Sequence, residues 1–247
     1  MIKLYVLDLD GCISEPFKTP DWTSVSKIRE LNRRSRDDER IPPLTICTGR
    51  PLPYAEAVAQ WLDIRLPFIF ESAGLYDWET NLVETGLNGR LESSMELINE
   101  AKSWIRDVIL PDHPGVMPEF SKMMDAGIVS PDRDQIRAVS GKIVEKVHSD
   151  YPGLEVHRTD VSVNILIRGN NKLQGVNLLS GRLQIGQKEM AYIGDSEGDI
   201  PALQRVGFPL APENAIGRVK EIATVLPFQT TRAVLEGYEM IIERNRG

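Results

Sequence analysis

The sequence predicts an α/β fold, a parallel sheet with helical crossovers, interrupted by a separate α+β module. Three observations carry that reading. Leu4-Tyr5-Val6-Leu7, Leu44-Thr45-Ile46-Cys47 and Met190-Ala191-Tyr192-Ile193 are apolar runs of strand length without polar alternation, as expected of strands covered on both faces of a parallel sheet. Each run ends in a polar cluster, respectively Asp8-Leu9-Asp10-Gly11-Cys12, Thr48-Gly49-Arg50 and Gly194-Asp195-Ser196-Glu197-Gly198-Asp199, and such sheets bind ligands beyond the carboxyl ends of their strands. Between residues 82 and 168 the rhythm changes to long helices and an alternating strand.

Along the chain, the first strand leads to a helix that Thr23 or Ser24 can cap, with Val25, Ile28 and Leu31 recurring every three residues. The second leads through Pro51 and Pro53, whose fixed φ suits a helix start, into Tyr54, Val58 and Leu62 at four-residue spacing. A third strand is expected from Pro67 to Phe70. The module then reads as an amphipathic helix (Leu91, Met95, Ile98, Ile105), a strand around Phe120 to Val129, a helix (Ile136, Val139, Ile143, Val147) and two strands. In the last, Val161, Val163, Ile165 and Ile167 alternate with Ser162 and Asn164 between, which marks a sheet with one wet face. A helix from Lys172 and the strand at Met190 restore the α/β rhythm. The expected organisation is a core in two parts, 1–81 and 169–247, around an inserted module 82–168.

With 247 residues, 41% of them hydrophobic, the chain can bury a core without staples. Cys12 and Cys47 stand in unlike contexts with no metal-ligand spacing, which suggests neither a disulfide framework nor a zinc site and suits a reducing cytoplasm. The four-residue apolar run before Asp8 is far short of a signal-peptide core, and no stretch approaches the roughly 18 apolar residues of a membrane span. A net charge of -7 argues against general affinity for nucleic acid or anionic membrane, which needs clustered Lys and Arg. The one charge-dense run, Arg33 to Arg40, mixes both signs and reads as a solvated loop.

Four aspartates gathered at one sheet edge would repel one another and suffer desolvation, so the arrangement demands a hard cation with oxygen ligands, and Mg²⁺ is the natural candidate. If the chain leaves strand geometry at Leu9, Asp8 and Asp10 can face one crevice, one free to attack and the other free to move protons. A carboxylate is a competent nucleophile toward phosphorus, giving an aspartyl phosphate that water later hydrolyses. Phosphoryl transfer asks mainly for positioning and charge neutralisation. Asp195, with help from Asp199, can hold the metal ion. The Thr48 hydroxyl and the backbone N–H groups after Asp8 and Thr48, the second that of Gly49, can cradle the anion. Lys172 either brings a point charge toward the phosphate and Asp8 or is a solvated lysine at a helix start. Arg50 either contacts phosphate or pairs with a nearby acid. Cys12, beside carboxylates that disfavour its thiolate, reads as structural. His113, His148 and His157 are scattered over the module and read as surface or packing residues.

Asp8-Leu9-Asp10-Gly11, Thr48-Gly49-Arg50-Pro51, Lys172 and Gly194-Asp195 with Asp199-Ile200-Pro201 occur in the order and rough spacing of the haloacid dehalogenase (HAD) superfamily. With its insertion between the second and third motifs, the chain resembles the Cof-like group with a C2-type cap, over nearly its whole length. The resemblance implies a Rossmann-like HAD core with an inserted α+β cap, and Mg²⁺-dependent hydrolysis of sugar phosphates or other small phosphorylated metabolites. It implies Asp8 as nucleophile and Asp10 as general acid and base whose backbone carbonyl also touches the metal. Thr48 and Lys172 would lie on the phosphate, Asp195 would be a direct metal ligand, and Asp199 a ligand directly or through water. Cys12 stands where Thr is usual, Gly198 where Asn often precedes the last aspartate, Leu173 where Gly often follows the lysine, and Ser72-Ala73 where Asn-Gly often follows Glu71. None of these departures removes a charged catalytic group.

A cap that closes over such a crevice excludes water and supplies specificity, with Lys122, Arg158 and Arg168 as candidate contacts to an acidic or hydroxylated substrate. The expected function is a cytoplasmic Mg²⁺-dependent phosphatase acting on a small phosphomonoester, a sugar phosphate or a phosphoglycolate-like acid, without nucleic-acid or membrane partners. Two alternatives stay open: a phosphomutase or phosphotransferase that hands the phosphoryl group to a second hydroxyl, and a non-catalytic binder of phosphorylated metabolites.

Overall fold

The three apolar runs are neighbours in one parallel sheet. In a computed structural model, which describes every residue of 1–247 except Asn88 and Phe120, β1 (Leu4–Leu7) pairs on one side with β2 (Leu44–Ile46) and on the other with β10 (Met190–Ile193). Strands β11 (Phe208–Ala211) and β12 (Thr224–Val225) extend the order to β12-β11-β10-β1-β2. Leu7 faces Ile46 on one side and Ile193 on the other. The chain segments that follow these residues therefore leave the sheet at a common edge. Every residue of β1, β2 and β10 is buried, the reason their sequences carry no polar alternation.

The chain forms two compact units, Met1–Gly86 with Asn171–Gly247, and Leu87–Asn170. In the first, α1 (Trp22–Arg34) follows β1, and its cap is Asp21, whose carboxylate accepts from the amides of Thr23 and Ser24. The expected caps, Thr23 and Ser24, are thus the residues being capped, because the acid one step upstream reaches both orphan amides and suits the positive end of the helix dipole. Helix α2 (Leu52–Trp61) starts behind Pro51 and buries Ala55, Val58 and Ala59. Next comes a three-stranded antiparallel sheet of β3 (Phe68–Phe70), β4 (Gly74–Asp77) and β5 (Leu82–Thr85). Only its first strand was expected; the turn into β4 runs through Glu71 and Ser72 at φ 43° and 69°, a left-handed stretch with no glycine to announce it.

The second unit contains α3 (Arg90–Trp104), β6 (Met117–Pro118), β7 (Asp125–Val129), α4 (Arg133–Asp150), β8 (Leu154–Arg158) and β9 (Ser162–Ile167). Its strands form an antiparallel sheet in the order β6-β7-β9-β8. The expected start of the strand before α4, at Phe120, lies outside the described residues, and the described strand begins at Asp125. Ile136, Val139, Ile143 and Val147 of α4 are buried, as are Val163 and Ile165 of β9, while Ser162 and Asn164 between them are half-buried.

The first unit resumes with α5 (Lys172–Leu183), then β10, α6 (Ile200–Leu203), β11, α7 (Gly217–Lys220), β12 and α8 (Thr230–Arg246). Helix α5 needs Gly175: a Cβ there would lie 2.5 Å from the Ser72 carbonyl oxygen and 2.6 Å from Ile69 Cγ2. Helix α8 is tied to the start of the chain. Asn245 accepts from the Ile2 amide and donates to the Ile2 carbonyl, both at 2.8 Å, and the Tyr238 hydroxyl donates to the Pro42 carbonyl at 2.6 Å. Among the described residues no helix is long and apolar enough to cross a membrane.

Candidate active site

Immediately after β1 the chain closes into a tight loop, Ser14 N–H donating to the Leu9 carbonyl at 2.9 Å and Gly11 N–H to the Ser14 carbonyl at 2.7 Å. Leu9 and Ile13 point into the core, and Asp8 stands at the root of the loop, its amide bonded to the Ile193 carbonyl at 3.0 Å. Gly11 sits at φ +77°, and a Cβ there would lie 2.0 Å from Asp195 Oδ2. Its missing side chain lets the loop after β1 and the loop after β10 meet. Asn214 fastens the contact by donating to the Gly11 carbonyl at 2.9 Å.

Lys172, the first residue of α5, is buried with its ammonium 2.7 Å from Asp8 Oδ1 and 2.6 Å from Asp199 Oδ1. Burial works against that charge, but the two carboxylates outweigh it and raise the ammonium well above its ordinary value. Asp199 is fully buried and accepts five hydrogen bonds: Lys172 and the Tyr192 hydroxyl at Oδ1, and the Ser196 hydroxyl with the amides of Asp195 and Ser196 at Oδ2. Despite burial, these partners hold its carboxyl below the usual range. With every lone-pair direction engaged, Asp199 positions Lys172 and the loop after β10.

Asp8 and Asp195 are different. Burial, then the charge of Asp199, pushes the Asp195 carboxyl up to about 7. The same two causes raise Asp8 well above the carboxylate range against the pull of Lys172. The Asp8, Asp195 and Cys12 ligand atoms all lie within 4.8 Å of one another. Asp10 faces Arg50, whose Nε and Nη2 donate to its two oxygens at 2.7 and 2.9 Å. Of the two roles open to Arg50, this arrangement has it paired with an acid. Thr48 is buried with its hydroxyl accepting from the Arg50 amide at 3.1 Å, and its own carbonyl accepts from the Ser72 amide at 2.8 Å.

A family model described as haloacid dehalogenase-like hydrolase matches residues 117–234. Phosphoglycolate phosphatases of Methanopyrus kandleri and Methanothrix thermoacetophila are 26% and 27% identical to the chain, over 92% and 100% of it and 90% and 98% of their own lengths. A haloacid dehalogenase-like hydrolase from Bacteroides thetaiotaomicron superposes with a TM-score of 0.73 at 17% identity, over 98% of this chain and all of that one. The chain is thus similar to haloacid dehalogenase-like hydrolases along nearly its whole length. It is an enzyme of their phosphatase kind.

The donor set at this site fits a hard divalent cation. A buried carboxylate (Asp8) and a half-buried one (Asp195), both driven up by desolvation and by neighbouring negative charge, are what such an ion relieves, and Mg²⁺ characteristically takes one or two carboxylates from a protein. Cys12 is a poorer donor for it: burial, then the charge of Asp195, pushes its thiol well up and keeps it protonated. The cations of the second unit differ among themselves. Lys122 is buried, and its three N–H donors go to Glu119, Asp125 and Asn164, each at 2.9 Å. Arg158 and Arg168 are exposed. His113 is half-buried against Gln135, while His148 and His157 are exposed.

Tyr192 and Ser196 were not singled out from the sequence, yet both hold Asp199. Tyr192 reads as one more apolar strand residue. Its hydroxyl is visible as functional only once the turn seven residues later brings Asp199 back over the strand end.

Proposed function

We propose that this enzyme hydrolyses a small phosphomonoester that carries a carboxylate, phosphoglycolate or a close analogue, through an aspartyl phosphate on Asp8. The observation that carries the reading is the convergence of Asp8, Asp195 and Lys172 at the common end of β1 and β10. Likeness along nearly the whole chain to proteins named phosphoglycolate phosphatase supports the substrate class.

Asp8 attacks phosphorus with one carboxylate oxygen as the bond from phosphorus to the alkyl oxygen breaks, and Asp10, which enters the step carrying a proton taken from solvent, gives that proton to the departing oxygen, releasing an alcohol. Asp10 then takes a proton from a water molecule that attacks the aspartyl phosphate. The bond from phosphorus to the Asp8 oxygen breaks, and inorganic phosphate leaves. Lys172 neutralises charge on Asp8 and the phosphoryl oxygens, while the Thr48 hydroxyl and the Gly49 amide bind those oxygens. The carboxylates of Asp8 and Asp195 and the Asp10 carbonyl would hold Mg²⁺, which would supply charge neutralisation for the transferring group. Asp199 keeps Lys172 and Asp195 in place. Arg158 and Arg168 are the second unit's candidate contacts to an acidic substrate.

The test is phosphate release from 2-phosphoglycolate with Mg²⁺ and with excess chelator. Release is expected only with the metal. Asp8→Asn should abolish release with an unchanged circular dichroism spectrum, and Asp10→Asn should slow it about 10²- to 10⁴-fold. Near-normal turnover by Asp8→Asn would remove the nucleophile and the reading with it.

A further inference from the structure

Resting on the reading above, the pairing of Arg50 with Asp10 carries a statement about selectivity. Both oxygens of Asp10 lie in the guanidinium fork, at 2.7 and 2.9 Å, the bidentate geometry with which arginine recognises a planar carboxylate. The guanidinium is held independently of Asp10. Its central carbon lies 5.2 Å from the centre of the Tyr54 ring, and the Tyr54 hydroxyl is tied to Ser14 at 3.0 Å. The Arg50 backbone is fixed on both sides, its amide by the Thr48 hydroxyl and its carbonyl by the Glu71 amide. The Asp10 side chain, by contrast, is 36% exposed. In this pair the cation is anchored and the carboxylate is the exchangeable partner.

We propose that Arg50 is the specificity-determining residue for a carboxylate on the substrate, which takes the place of the Asp10 carboxylate in the guanidinium fork and thereby releases Asp10 toward the leaving oxygen. Replacing one carboxylate by another keeps both guanidinium hydrogen bonds, so the exchange is close to neutral in energy. A substrate with a neutral group at that place offers no such exchange and leaves Asp10 latched. Lys172 cannot serve instead, because Asp8 and Asp199 take two of its three donors and the proposed reading gives the third to the phosphoryl oxygens. The latch therefore couples recognition of the acid end of the substrate to release of the proton-transferring group at the ester end.

The experiment compares kcat/KM for 2-phosphoglycolate and for 2-hydroxyethyl phosphate, which has a CH₂OH group in place of the carboxylate, in wild type, Arg50→Lys and Arg50→Gln. Wild type is expected to prefer phosphoglycolate by on the order of 10²-fold, and Arg50→Gln to bring the ratio below about 5-fold, with Arg50→Lys between. In wild type, glycolate is expected to inhibit competitively and ethylene glycol is not, a comparison that needs no variant to fold. Equal losses on both esters in Arg50→Gln, or equal inhibition by the two alcohols, overturns the proposal. A wild type that releases phosphate from both esters without preference overturns it while the phosphatase reading stands. A wild type that hydrolyses neither ends both.

Discussion

On the proposed reading, Asp8 and Asp195 are the residues whose energetics respond most directly to a metal ion. Their carboxyls stand above the usual range, Asp195 at about 7, through burial and the charge of Asp199. The unfolded chain loses these protons near the ordinary carboxylate value of about 4. An acid raised in the folded state contributes its full stability below that value and loses the contribution as pH rises toward the folded value. Metal-free protein is therefore expected to melt lower at about pH 8 than at about pH 5 where these groups dominate, and Mg²⁺, which on the proposed reading binds the ionised pair, to raise Tm more at the higher pH. Scanning fluorimetry with Mg²⁺ and with chelator measures both slopes. An equal Mg²⁺ shift at the two pH values would contradict the linkage.

At the scale of elements, helix α5 carries Lys172 at its first position and depends on close approach to the turn between β3 and β4. Gly175→Val inserts atoms where a Cβ alone already meets the Ser72 carbonyl oxygen at 2.5 Å. Overpacking of that kind costs about 1–3 kcal/mol, so a lower urea midpoint is expected, with reduced phosphatase activity as Lys172 shifts from Asp8; an unchanged midpoint would show that the helix can slide freely.

The same elements show what was legible beforehand. Strands β1, β2 and β10 were readable because burial on both faces leaves an uninterrupted apolar run, and the residues behind them were readable because each run gives way to a short polar cluster. Strands β4 and β5 were not, since Glu71 and Ser72 adopt left-handed backbone without a glycine or asparagine to mark the turn. Lys172 was ambiguous in the sequence, where Leu173 replaces the usual glycine; its two carboxylate partners give it a defined place. The ion pair of Arg50 with Asp10 joins residues 40 apart, and the sequence left two roles for Arg50 because spacing alone cannot choose between an anion and an acid.

On the scale of the whole molecule, two units with separate cores divide one chain. The second has a buried ionic centre of its own in Lys122, flanked by Glu119 and Asp125. Lys122→Met leaves two carboxylates in a buried place without their cation, and breaking a buried pair from one side costs about 3–5 kcal/mol. Hydrogen-exchange mass spectrometry is expected to show faster exchange through β7 and β9, with protection of β1 and β10 unchanged. Uniform loss across the chain would mean that the two cores do not unfold separately.

The bonds between Ile2 and Asn245 put residues 2 and 245 at one spot. A short peptide could therefore seal the chain into a ring, since circular permutation is tolerated where ends meet. Cut anew between residues 86 and 87, that ring would present 87–170 first and then 171–247 joined to 1–86 as one continuous stretch. Which part is the guest and which the host would then depend only on where the ribosome begins.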